Sequence, residues 1–202
     1  MDKDLIDTAA GKAPCDLNLM NCTIVDVLGG RLIENATVSI RNGRIAGVND
    51  GLEAKVALDL DGKFLAPGLI DAHVHIESSL LTPAEYARVV LPHGTTTVVA
   101  DPHEIVNVLG YDGMRFMLSA SSDLPLDIFF MVPSCVPATE FDTAGAALFA
   151  SDMYPFLQDE RVLGLGEVMN YPGVLAREQR LMDKIALFSS ARKPVDGHAP
   201  GL

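Results

Sequence analysis

His73 and His75 are the residues in this chain best placed to do chemistry. They close an apolar stretch, Pro67-Gly68-Leu69-Ile70-Asp71-Ala72-His73-Val74-His75. Side chains alternate along a strand, so His73 and His75 leave it on the same side. Two imidazoles on one face can reach one metal ion. Two histidines on one face also occur as surface or satisfied core residues, and the dipeptide pattern alone leaves both readings open. Asp71 shares that face and could orient a ligand ring from behind.

Further polar residues gather where later strands are expected to end. Asp101, His103 and Glu104 follow the β-branched run 95–100, Glu167 lies near the end of 162–169, and His198 follows 194–197. Glu77 lies just beyond His75. Imidazole nitrogen with carboxylate oxygen suits Zn, Mn or Fe, and a metal pair could activate water for attack on carbon. That chemistry favours hydrolysis over redox or phosphoryl transfer. The chain has no strand-linked GxGxxG and no GxxxxGK[ST], so nucleotide-cofactor readings lack support. Gly164 and Gly166 sit within a strand and read as room for close packing. His93 reads as a helix C-terminal cation, Ser78 and Ser79 as caps, and Cys135 as a strand-end thiol without a base nearby in sequence. Met114, Met117 and Leu118 at helical spacing read as core.

The elements that must position these groups fall into two patterns. Residues 1–16 are expected to be a mobile lead-in. Residues 17–66 read as a small all-β sandwich module of short antiparallel strands at 17–27, 36–40, 44–48, 55–60 and 63–65. Asn42-Gly43 and Asp61-Gly62 are hairpin signals, because these residues tolerate positive φ. From residue 67 to 202 strands alternate with helices. Strands are expected at 69–75, 95–100, 126–132, 162–169 and 194–198, with the second buried on both faces. Helices are expected at 82–92, 113–121, 144–157 and 175–190, and a loop at 101–104. Thr82, Pro83 and Glu85 form a capping box. Alternation of this kind means parallel βαβ units. Five strands fall short of the eight that close a parallel barrel. The expected fold is α/β, an incomplete (β/α)8 TIM-type barrel after the β module, with the chain an N-terminal fragment; the alternative is an open five-stranded sheet.

Composition excludes several classes. The 202 residues are 49% hydrophobic, enough to bury a core. The formal net charge of −12 disfavours a nucleic-acid partner. No apolar run is long enough for a membrane span, and the N-terminus lacks the form of a signal peptide. The three cysteines have no metal-type spacing and read as reduced thiols of a cytoplasmic protein.

Pro-Gly-x-Ile-Asp-x-His-x-His after a small β module resembles the amidohydrolase superfamily of metal-dependent hydrolases on a (β/α)8 barrel. So does Gly94-Thr95-Thr96-Thr97-Val98-Val99-Ala100-Asp101, as a second barrel strand. The finer resemblance is to the microbial adenine deaminase family, carried by residues 73–79, 100–105, 130–140, 164–170 and 196–201. The resemblance implies hydrolysis of adenine to hypoxanthine and ammonia by metal-activated water, in purine salvage. It implies one or two divalent ions, Mn2+ or Fe2+, with Zn2+ also compatible. By position His73, His75, Glu167 and His198 match metal ligands. Glu167 stands where many relatives carry a carboxylated lysine, and no lysine occurs in 162–169. Asp71, Glu77, Asp101, His103 and Glu104 are then expected to touch substrate or support the ligands. A histidine after strand six and an aspartate after strand eight, the latter a proton carrier, are expected beyond residue 202. Related enzymes suggest a homo-oligomer. Another amidohydrolase acting on a cyclic amide or an N-acetyl sugar, or an inactive truncated product, is the alternative.

Overall fold

The computed structural model describes residues 2–139 and 141–201; Glu140, the last residue of one of the resemblance stretches, lies outside them. The chain divides into two compact units, one ending at Pro67 and the other beginning at Gly68.

The first unit opens with helix α1 (Lys3–Ala9), where a mobile lead-in was expected. Asp2 caps it by accepting from the Leu5 backbone N–H, and the buried Thr8 anchors it. Strands β1 (Cys15–Asp26), β2 (Arg31–Arg41), β3 (Arg44–Val48), β4 (Ala54–Asp59) and β5 (Phe64–Leu65) form one mixed sheet, ordered β3-β2-β1-β4, with β5 also on β1. Asn42-Gly43 closes the β2–β3 hairpin as expected, both residues at positive φ. Asp61-Gly62 does not make a hairpin. β4 and β5 both lie parallel to β1, one beside its first half and one beside its second. The positive-φ pair therefore makes a jog between two pieces on the same edge, not a reversal. The expected antiparallel sandwich is thus a single mixed sheet. Leu32, Ile45, Val56 and Phe64 on it are exposed.

The second unit is a half-barrel of five parallel strands: β6 (Leu69–Val74), β7 (Thr95–Ala100), β8 (Asp127–Pro133), β9 (Val162–Val168) and β10 (Val195–Gly197). Their spatial order is their chain order, β10-β9-β8-β7-β6, as successive βαβ crossovers produce. Between them run α2 (Pro83–Val90), α3 (His103–Leu109), α4 (Tyr111–Ala120), α5 (Ala150–Met153), α6 (Tyr171–Leu175) and α7 (Gln179–Ser190). Thr82 caps α2 by accepting from Glu85 N–H at 3.5 Å, and Pro83 opens it. The Glu85 carboxylate meets Arg88.

Three helical expectations change. The supposed loop at 103–104 is the start of α3, launched behind Pro102 and stopped by Gly110 at φ 57°, ψ −132°, which suits glycine. Only 150–153 of the segment 144–157 is α-helical, and Pro155 lies in the 3-10 turn that follows. The segment 175–190 is split where Arg177 takes a φ of 56°.

The core lies between the sheet and its helices. Val98, Ala100, Ile128, Phe130 and Val132 point from the strands toward Met114, Met117 and Leu118 of α4 and Phe188 of α7. β7 buries Val98 and Ala100 on this face, with Thr96 exposed at its start, and Thr95, Thr97 and Val99 on the other face are half-buried. No helix among the described residues is long and apolar enough to cross a membrane. Cys15, Cys22 and Cys135 are free and buried.

Candidate metal centre

The strand ends bring the predicted polar residues to one edge of the parallel sheet, where β/α barrels build their active sites. His73 lies in β6 and His75 just beyond it; their Nε2 atoms are 3.3 Å apart, with ring planes at 88°. The His75 Nδ1 lies 2.6 Å from the Asp101 carbonyl oxygen. A carbonyl can only accept, so Nδ1 carries the proton and a neutral His75 keeps its Nε2 lone pair for a ligand. Asp71 does not orient a ring: its carboxylate accepts from the His73 backbone N–H at 3.2 Å.

Glu167 sits at the middle of the cluster. Its Oε1 lies 2.7 Å from His198 Nε2 and 3.8 Å from His73 Nε2. Its Oε2 lies 3.4 Å from His75 Nε2 and 3.7 Å from His103 Nδ1. Burial opposes its charge, but the His198 hydrogen bond and the facing His75, His103 and His73 outweigh that and hold the carboxyl below its usual range. The backbone here has a φ of 35°, a costly conformation for a residue with a side chain. Neighbours fix it from both sides. Glu167 N–H donates to Asp196 at 2.7 Å, and the Glu167 carbonyl accepts from the Ser134 hydroxyl at 3.0 Å. Ser134 is held in turn by the buried Lys184, whose Nζ donates to its carbonyl at 2.6 Å. Burial depresses the pKa of that lysine.

Asp101 and His103 form the buried side of the cluster, 0% and 6% exposed. Neither carboxylate oxygen of Asp101 and neither ring nitrogen of His103 makes a hydrogen bond, although His103 Nδ1 and Asp101 Oδ1 stand 2.5 Å apart. Burial raises the Asp101 carboxyl pKa against the opposing pull of His103. Glu77 and Glu104 stand at the outer edge. Glu104 accepts from the Ser78 hydroxyl at 3.0 Å and lies 3.6 Å from His75 Nδ1. Glu77 accepts from the Ile105 backbone N–H at 3.4 Å, and burial with the adjacent Glu104 pushes its carboxyl up to about 7. For His75, burial opposes protonation, but the Asp101 carbonyl and the charges of Glu104, Glu167 and Asp101 prevail and raise its pKa. A field that favours a proton at that ring also favours a metal cation.

A cleft of about 500 Å3 opens onto these groups, lined in part by His75, His103, Glu104, Asn107, Cys135 and Glu167. That is the size of a small-molecule site. Two triads of ligand atoms lie within 4.8 Å of one another, His73–His75–Glu167 and Asp101–His103–Glu167. Atoms bound about 2.0–2.2 Å from one ion stand roughly 3–3.5 Å from each other, close to the spacing of the first triad. Imidazole and carboxylate together suit Mn, Fe or Zn. Sequence reasoning placed every one of these residues near the strand ends. It missed Lys184 as a support, because a lysine in an amphipathic helix reads as surface, and it included Asp196 only within a longer motif.

A half-barrel of parallel strands with imidazoles and carboxylates converging at their C-terminal ends has the architecture of a metal-dependent β/α-barrel hydrolase. Residues 64–202 match the model of the amidohydrolase family, and the chain belongs to that family. It is 51% identical over its full length to an adenine deaminase of Desulfatibacillum aliphaticivorans and 55% identical over 199 residues to one of Nitratidesulfovibrio vulgaris. The chain spans about a third of the length of these relatives, 35% and 34%. Among solved structures, a triazine hydrolase variant superposes with a TM-score of 0.59 at 16% identity, over 91% of this chain and 53% of that one. Atrazine chlorohydrolase from Arthrobacter aurescens, complexed with zinc, gives 0.53 at 16% identity, over 70% and 41%. These two likenesses are of fold.

Proposed function

We propose that this chain supplies the early-strand half of the active site of a hydrolytic adenine deaminase, which converts adenine and water to hypoxanthine and ammonia. The observation that carries the reading is the Glu167 carboxylate set among His73, His75 and His198, in a chain about half identical to adenine deaminases along its whole length. His73, His75, Glu167 and His198 would hold a divalent cation, Mn2+ or Fe2+ by the donor set. The cation would supply Lewis acidity and a water activated at neutral pH.

The chain's own residues do the rest of the positioning. The Asp101 carbonyl fixes the His75 tautomer with Nε2 free. Ser134 and Asp196 hold the strained Glu167 backbone so that both carboxylate oxygens face imidazoles. The cleft beside His103, Glu104 and Asn107 has room for a purine. Glu104 at its edge offers an oxygen acceptor to the ring N–H or amino group of such a substrate. The proton carrier expected after the last barrel strand is not among these residues.

The test joins this chain to the remaining two-thirds of the Nitratidesulfovibrio vulgaris relative. The Mn2+-loaded chimera is assayed for ammonia and hypoxanthine from adenine, beside a cyclic amide and an N-acetyl sugar. Turnover of adenine that Glu167→Gln abolishes is the expected result, with no ammonia from the 202 residues alone. Hydrolysis of the amide or the sugar with adenine untouched would overturn the reading.

A further inference from the structure

We infer that Lys184 is a positioning residue: from helix α7, behind the sheet, it acts through Ser134 to aim the Glu167 carboxylate at its imidazoles. The inference takes Glu167 as a metal ligand, as proposed above, and adds a residue that does not itself touch the cluster.

The lysine breaks the pattern of its helix. Leu181, Lys184 and Phe188 are the buried residues of α7, spaced three and four apart. Such a stripe belongs to apolar side chains, and a lysine is almost never fully buried unless paired. Helical lysines ordinarily carry their nitrogen out to water. Lys184 turns inward instead. Glu178 and Asp152 act on it only as charges at a distance, and its hydrogen bond goes to the Ser134 carbonyl at 2.6 Å.

That bond falls on the residue that laces β8 to β9. Ser134 is buried, and all three of its polar groups are engaged. Its N–H donates to the Gly166 carbonyl at 3.0 Å, and its hydroxyl to the Glu167 carbonyl at 3.0 Å. Cys135 Sγ lies 3.2 Å from the same hydroxyl but is the weaker acceptor. Lys184 holds the remaining group, the carbonyl. Glu167 itself stands at a φ of 35°, a conformation that persists only where neighbours over-determine it. Asp196 takes its N–H and Ser134 its carbonyl, so the side chain leaves the backbone between two fixed peptides. An apolar residue at 184 would leave the Ser134 carbonyl buried without a donor. Ser134 would turn, and the Glu167 carboxylate would turn with it.

The experiment separates positioning from stability in the 202-residue chain. Lys184→Met is made alone and in a Ser134→Ala background, with Met114→Ala as a core variant remote from the cluster. Mn2+ affinity is read by electron paramagnetic resonance. In the metal-free chain, amide exchange of Glu167 is read relative to that of Phe130. Lys184→Met should weaken Mn2+ binding about tenfold, the low end for a residue that supports a ligand, and Glu167 should lose protection relative to Phe130. Met114→Ala should lower the melting temperature and change neither reading. In the Ser134→Ala background the carbonyl at 134 still loses its donor, so Lys184→Met should still lower the melting temperature. Its effect on Mn2+ should fall below about twofold there, because the link to Glu167 is already cut. Unchanged affinity and protection in Lys184→Met, or an equal loss in both backgrounds, would overturn the inference. If the parent binds no Mn2+, the metal reading fails, and the exchange of Glu167 still decides the role of Lys184. Should Lys184→Met not fold, Lys184→Gln, whose amide nitrogen stops one bond short of the Nζ position, is read in the same way.

Discussion

Adding a single methyl group at Gly166 should disturb both the fold and the buried side of the candidate metal centre. Gly166 lies in β9, and its φ is not positive, so alanine meets no backbone penalty there. The obstacle is space. A Cβ at this position would overlap Asp101 Oδ2, with Met131 Cβ at 2.7 Å and Asp101 Cγ at 2.9 Å. Overpacking in a filled interior costs about 1–3 kcal/mol. Alanine's smaller unfolded-state entropy returns about 0.4–1 kcal/mol. Gly166→Ala should therefore destabilise the chain by about 1–2 kcal/mol, read from urea unfolding by linear extrapolation. The same change made in an Asp101→Ala background should cost less by at least about 0.5 kcal/mol, because one of the two obstructing side chains is gone. Met131 would keep the rescue partial. Equal costs in the two backgrounds, or no cost in either, would refute the account of Gly166 as the clearance for Asp101.

The remaining predictions concern the core, a cap and an acid-sensitive ion cluster. Phe130→Ala removes a ring with 0% exposure from the sheet–helix core and should cost about 3–5 kcal/mol in urea unfolding; a loss near 1 kcal/mol would mean that the site is far looser than drawn. Thr82→Ala should cost only about 0.5 kcal/mol, the low end for a cap, because its bond to Glu85 N–H is long at 3.5 Å. Asp16 accepts from the Asn42 backbone N–H and from Lys55 and Arg41, and these partners, against slight burial, lower its pKa from 3.8 to about 2. Its folded-state pKa is depressed, so its contribution is present above 3.8 and is lost as pH falls toward 2. Asp16→Asn should flatten that part of the acid unfolding curve, and the difference should shrink in high salt because the cluster is exposed.

Local chemistry made much of this protein legible. The turn at Asn42-Gly43, the cap at Thr82 and the run 95–100 depend on neighbours a few residues away, and each formed where its residues indicated. Asp61-Gly62 carries the same signal as Asn42-Gly43 but makes a different structure. A positive-φ pair fixes a bend, and which strand the chain then joins depends on β1, some forty residues away in sequence. The start of α3 was hidden for a similar reason. His103 and Glu104 read as loop because they are polar, and only the tertiary structure shows His103 buried beneath the cleft.

The sequence by itself determined that imidazole and carboxylate groups would gather at successive strand ends, because the period of two and the βαβ rhythm are properties of short segments. It placed His73 and His75 on one face and Glu167 and His198 within reach. Only the tertiary structure decided how the groups share their partners. Asp101 gives its carbonyl to His75 while its carboxylate stands against the His103 ring, and Glu167 turns one oxygen toward each pair of imidazoles. Those relations depend on strand order, on the Gly166 clearance and on a backbone held at positive φ by Ser134 and Asp196. No local pattern encodes them, because each is set by atoms that meet only when the strands are side by side.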